Sequence, residues 1–259
     1  MKKITTTLFC FLSAILILSG CDDVKNDERE KPKETVFIHK TVLLLDFADQ
    51  NCPYCPRANE EAATLKSRYR DSLVVVTIHA YPTNLPLVTE TGNEYDRHFE
   101  IQKIGHPVGI IDGTFTPEYY DWEAVIVKRF NITPSVSIDL KATFDKGNRT
   151  VSLVSHLKGL QKIENAKLLL WVVENNIIDR QKLLNGSVDT YYKHQHILRE
   201  AINGMWGEAV ALGVNEEKTL KSEFTLAENL KAEDISIVAF VYNTVTDEAL
   251  NVAEITINN

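Results

Sequence analysis

The sequence predicts an α/β domain followed by an all-β sandwich, and three observations carry that prediction. An apolar run closes on two cysteines spaced by two residues, Leu43-Leu44-Leu45-Asp46-Phe47 leading to Cys52-Pro53-Tyr54-Cys55. A β-branched run at 73–79 then gives strand–helix–strand order, which implies a parallel pair joined by a right-handed crossover. From Ser135 onward, short segments of strand-like alternation follow one another with few credible helices between them.

The amino terminus is read as an export segment. Lys2 and Lys3 precede an apolar core from Leu8 to Leu18, too short to span a membrane comfortably as a mature helix. Leu18-Ser19-Gly20-Cys21 resembles a bacterial lipoprotein signal, so residues 1–20 are expected to be removed and Cys21 to become the lipidated terminus. Loss of Lys2 and Lys3 takes the balance from 28 basic against 36 acidic residues to 26 against 36, a mature charge of −10. That balance argues against nucleic acid as a partner. No second apolar run approaches spanning length, so attachment is expected through lipid. Residues 21–35 hold mixed charges and one aliphatic side chain and read as a tether. Asp22-Asp23 at its start fits either inner-membrane retention or surface export.

Val36 to Asp46 is the first expected strand, and Asn59 to Arg70 the helix after the dithiol, with Ala62, Leu65 and Tyr69 spaced toward a core. Residues 82–94 carry turn and breaker residues without periodicity and read as an insertion beside the site. Trp122 to Phe130 is the closing helix of the first domain, residues 36–134. In the second, residues 135–259, strands are expected at Val136–Thr143, Thr150–Leu157, Leu168–Glu174, Lys218–Leu226, Ile235–Tyr242 and Leu250–Ile257. This is the alternation of an antiparallel, immunoglobulin-like sandwich without an inter-sheet disulfide.

Four cysteines are present, and Cys10 and Cys21 belong to export. The remaining pair, Cys52 and Cys55, admits three readings. If the turn opens a helix, the first sulfur sits beside unpaired amides that stabilise its thiolate, while the second resolves a mixed disulfide. A structural disulfide is the second reading, although so small a loop constrains little of the unfolded chain. Zinc is the third, but His79, His98 and His106 lie at spacings that match no usual finger, and no metal site is expected. Paired imidazoles at His194 and His196 lack a third ligand and are expected on an exposed strand face.

LLLDFADQNCPYCP resembles the strand, loop and active-site helix of the thioredoxin superfamily. The resemblance implies that Asp46 is a buried carboxylate able to take a proton from the resolving thiol. It implies too that Pro107, in Gly105-His106-Pro107-Val108, is a cis-proline facing the dithiol and shaping the substrate groove, where a trans proline opening an edge strand is the other reading. Pro53, Tyr54 and His106 are the further candidate substrate-binding residues, His106 not being the usual thioredoxin residue. His106 is a candidate cationic partner for the Cys52 thiolate or a surface histidine contacting substrate backbone or solvent. This chain departs from the pattern at Asn51, where thioredoxins usually have tryptophan, and at Pro56, which disfavours helical geometry at Cys55. It also lacks a lysine in Leu73–Tyr81 to pair with Asp46.

With HQHILREAINGMWGE in the second half, the whole resembles the Omp28-related outer-membrane lipoproteins. The expected function is thiol–disulfide exchange on exported proteins or small thiol and disulfide substrates, with no cofactor. The other class kept open is a surface binding or adhesion module with an idle dithiol, and homodimerisation is open under both.

Overall fold

The computed structural model describes residues 39–81 and 85–257. The expected signal peptide, the lipidated Cys21, the tether and the start of the first expected strand lie outside the described residues. β1 (Val42–Ala48) pairs in parallel with β2 (Leu73–His79) across α1 (Cys55–Tyr69), the crossover expected from the sequence. α1 begins four residues before the expected start. Pro56 sits in its first turn, where the missing N–H would have no helical partner, so it is accommodated rather than disruptive. α2 (Glu90–His98) lies where an irregular insertion is expected. Its polar residues conceal the period, but Thr89 caps it by accepting from Gly92 N. Glycine is required at 92 because a Cβ there would sit 2.4 Å from the carbonyl oxygen of His79.

β3 (Val108–Ile111) runs antiparallel to β1 and turns through Asp112-Gly113 into β4 (Thr114–Thr116). α3 (Trp122–Phe130) has the expected bounds, and its Trp122 indole fills the space a Cβ on Gly109 would occupy. The second half contributes β5 (Val136–Asp145), β6 (Thr150–Gly159), β7 (Ile163–Glu174), β8 (Ile177–Lys182), β9 (Val188–His194), β10 (Ile197–Ala201), β11 (Glu208–Leu212), β12 (Glu217–Thr225), β13 (Ile235–Asn243) and β14 (Ala249–Thr256).

The protein is mostly β, and its sheet ignores the boundary expected at 134/135. A nine-stranded mixed sheet runs β14-β13-β7-β10-β2-β1-β3-β4, with β11 also on β7, so strands of both halves are hydrogen-bonded neighbours. The join is narrow: β10 meets β2 in parallel at Ile197 and Thr77, beside a bond from Thr77 N to His196 O of 2.7 Å. The described residues from 39 to 257 form one compact unit.

Burial on both faces explains the union. On one face Leu43, Leu45 and Phe47 of β1 share a core with Trp171 of β7 and Phe240 of β13, covered by Tyr95 of α2. On the other, Val42 and Leu44 pack under Ala58, Ala62 and Leu65 of α1 and Trp122 of α3. That same face of β7 and β13 packs Leu168, Leu170, Ile237 and Ala239 against the separate sheet β12-β6-β5. With each large apolar side chain worth about 1.5–3 kcal/mol when buried, β7 and β13 cannot leave either core without losing several such contributions. A buried ionic cluster adds to the join: Asp112 is 3.3 Å from Lys40 and 3.2 Å from Arg129, which also pairs with Glu248 beside β14.

Candidate functional site

The site forms where β1 ends and α1 begins. Alternation along β1 sends Val42, Leu44, Asp46 and Ala48 toward α1, whose inward face carries Leu65, Ala62, Ala58 and Cys55. Ala48 contacts both cysteines, so Asp46 lies one pleat below the dithiol on the same face. Cys52 and Cys55 lie at bonding distance, with sulfurs 2.28 Å apart. Their environments differ: Cys52 is 9% exposed and Cys55 is fully buried. The Cys55 N–H, at the first position of the helix, donates to Cys52 Sγ at 3.0 Å. That donor and the helix dipole both favour negative charge on Cys52 once the disulfide is reduced.

Opposite the dithiol, the His106–Pro107 peptide is cis, and His106 O is 3.4 Å from Cys52 Sγ. Tyr54 and Ile104 stand more than half exposed in the two loops that meet there. Burial pulls the pKa of the His106 imidazole down to about 4, which opposes the cationic role expected for it beside the thiolate.

Asp46 is fully buried, and neither carboxylate oxygen has a hydrogen-bond partner among the described residues. Desolvation alone raises its pKa from 3.8 to about 7. No cation among the described residues compensates it, in keeping with the missing lysine in β2: the residue across from Asp46 in register is Thr77. A carboxyl poised near neutrality, close to a buried thiol, suits proton acceptance during exchange.

The residues that sequence reasoning missed lie on the β8–β9 hairpin, which is inserted between β7 and β10 and lies against the dithiol loop. Gln181 is fully buried and donates through Nε2 to Cys52 O at 2.9 Å and to Asp49 O at 3.3 Å. Lys182 N donates to Gln50 O at 2.8 Å, and Gln50 Nε2 donates to Arg180 O at 3.0 Å. Tyr192 accepts from Asn59 of α1 at 3.2 Å, and burial raises its pKa, with the charges of Glu60 and Asp46 adding to the rise. Asn185-Gly186 is a legible hairpin turn. Nothing in the sequence directs it onto residues 49–52.

The expected exposed face at His194 and His196 is also corrected. His194 is 1% exposed, its ring lies edge-on to buried His79 at 5.5 Å, and burial depresses the pKa of both. His196 takes a positive φ in the link to β10, with its amide bonded to Asn175 Oδ1. His98 is apart from this group, paired with Asp247 at 2.9 Å. Among the described residues no three histidine, cysteine, aspartate or glutamate side chains assemble as a metal site. No described helix is long and apolar enough to cross a membrane.

Comparison with known proteins bears on the larger part of the chain. Residues 93–259 match the family described as outer membrane protein Omp28, a span that begins after the dithiol. The fold is similar to that of HBP35 of Porphyromonas gingivalis, with a TM-score of 0.68 and 19% identity over 86% of this chain and 76% of that one. It is similar also to protein AGR_C_4864 from Agrobacterium tumefaciens, with a TM-score of 0.52 and 13% identity over 86% of this chain and 96% of that one. A domain of the outer membrane lipoprotein Omp28 from Porphyromonas gingivalis matches 49% of the chain at 21% identity, over 91% of its own length, with a TM-score of 0.34. No curated protein matches the chain.

Proposed function

The chain belongs to the Omp28 outer membrane protein family, and on that premise we propose that it is an envelope lipoprotein, anchored through Cys21, whose Cys52–Cys55 pair carries out thiol–disulfide exchange. The strand–helix–strand unit with its dithiol and the β3–β4 hairpin form a thioredoxin-like half, and the layers around β7 and β13 a sandwich-like half. One observation carries the reading: the more exposed sulfur of the pair accepts the first amide of α1, the placement of an attacking thiolate.

The Cys52 thiolate attacks one sulfur of a substrate disulfide, whose S–S bond breaks as the Cys52 mixed disulfide forms and one substrate thiolate leaves. Cys55 then gives its proton to the Asp46 carboxylate and attacks Cys52 Sγ. The second substrate thiolate leaves, the substrate is reduced and the protein holds its disulfide. Pro107, Tyr54 and Pro53 border the approach to Cys52, and His106 contributes its carbonyl oxygen there rather than a charge. The same steps reversed oxidise a substrate dithiol.

The other reading, a binding module with an idle dithiol, is favoured by the family match starting at residue 93. Equilibration of the full chain with glutathione buffers distinguishes the two. An exchanging dithiol is expected to poise between about −120 and −270 mV, the range of C-x-x-C catalysts. A pair that stays oxidised below about −300 mV, as structural disulfides do, would contradict the exchange reading.

A further inference from the structure

The β8–β9 hairpin touches the dithiol loop through three consecutive residues, and the middle one is aimed by an irregularity in its own ladder. The pairing register shifts between Asp179 and Gln181, a bulge of the kind that re-aims a side chain. As a result the Gln181 amide faces inward, fully buried, and holds the carbonyl oxygens of Cys52 and Asp49. On either side Arg180 O accepts from the Gln50 side chain and Lys182 N donates to Gln50 O, so Asp49, Gln50 and Cys52 are each bonded from outside their own half.

In the oxidised pair the covalent bond itself keeps Cys52 Sγ on the Cys55 amide. Reduction removes that constraint, and the loop then keeps its shape only through its remaining bonds. Cys52 O is held by Gln181, whereas Cys52 N is bonded within the loop to Asp49 O at 3.1 Å. We infer that Gln181 is a positioning residue of the dithiol: its amide fixes the Cys52 main chain so that the reduced sulfur stays on the Cys55 N–H and remains a stabilised thiolate. The inference rests on the exchange reading of the pair. It assigns the second half of the chain a part in the chemistry of the first.

Gln181→Met keeps the volume and removes the donor. The test is the iodoacetamide rate of Cys52 against pH, for fully reduced full-length wild type and variant. The variant is expected to react about 5–10-fold more slowly near pH 6.5 and to converge with wild type above about pH 9, where the thiol is ionised in both, because a lost thiolate stabiliser shifts the titration and not the plateau. Superimposable profiles, or a loss equal at every pH, would overturn the inference. If wild type itself titrates near 8.5, the ordinary thiol value, the exchange reading fails and the inference with it. Amide exchange at Lys182 N in wild type gives a measurement independent of whether the variant folds. Protection is expected in both redox states, and loss of protection on reduction would show that the hairpin lets go of the loop when the clamp is needed.

Discussion

Reduced Cys55→Ser protein is expected to accumulate as a mixed disulfide through Cys52 when offered a disulfide substrate, while Cys52→Ser accumulates at least about tenfold less. The asymmetry follows from position. Cys52 retains some exposure at the mouth between Tyr54 and the His106–Pro107 loop, whereas Cys55 is closed over by α1 and β1. Cys52 Sγ receives a helix-terminal amide, which favours its thiolate once the pair is reduced. Removing Cys55 leaves the attacking sulfur in place and takes away the group that would release the substrate. Non-reducing gels of the two variants after acid quenching read the result directly. Equal trapping by both, or by neither, would contradict the assigned roles.

The second large effect is expected at Asp46. Its folded pKa of about 7 lies above the ordinary 3.8, so the native state binds this proton more tightly than the unfolded chain does. Stability from this group is therefore complete below pH 3.8 and is lost as pH rises through the window from 3.8 to about 7. About three units at 1.36 kcal/mol each correspond to about 4 kcal/mol. Asp46→Asn carries no charge at any pH in the window, so its stability relative to wild type is expected to rise by about 4 kcal/mol between pH 3 and pH 8. Denaturant midpoints of the oxidised proteins at several pH values measure that difference. The same variant lacks the proton acceptor for Cys55, so release of the mixed disulfide is expected to slow by about a hundredfold, the scale of a lost general base. Parallel stability curves would show that the carboxylate is not desolvated. Unchanged release would remove Asp46 from the mechanism.

The elements around the dithiol were legible because each is fixed by local pattern. The apolar run at 43–45 and the β-branched run at 73–79 announce strands, and Trp122–Phe130 carries a helical period. The cysteine spacing and the proline at 107 located both sides of the site. What the residues could not convey is how far the sheet extends. Short strands such as Ile197–Ala201 carry no signal that they pair with β2, because that contact is a single parallel bridge between segments 120 residues apart in sequence. The alternation expected of Leu168–Glu174 and Ile235–Tyr242 does not describe their burial: both faces of these runs are buried, and Leu168–Val173 reads equally well as the core of a separate sandwich. Charge states were hidden for a related reason. His106 reads as a cation until the packing that desolvates it is known, and Gln181 reads as one polar residue among many until a bulge turns it onto Cys52.

Multiple-turnover kinetics with a fluorescent mixed-disulfide substrate test most directly whether Cys52 and Cys55 turn over as a redox pair. The full chain, supplied with a regenerating thiol, is expected to release many equivalents of substrate thiol per protein. With the regenerating thiol left out, Cys55→Ser should release a single equivalent and stop, with Cys52 covalently occupied. A rate no greater than that of the regenerating thiol alone, from protein shown to be reduced at both cysteines, would contradict the account.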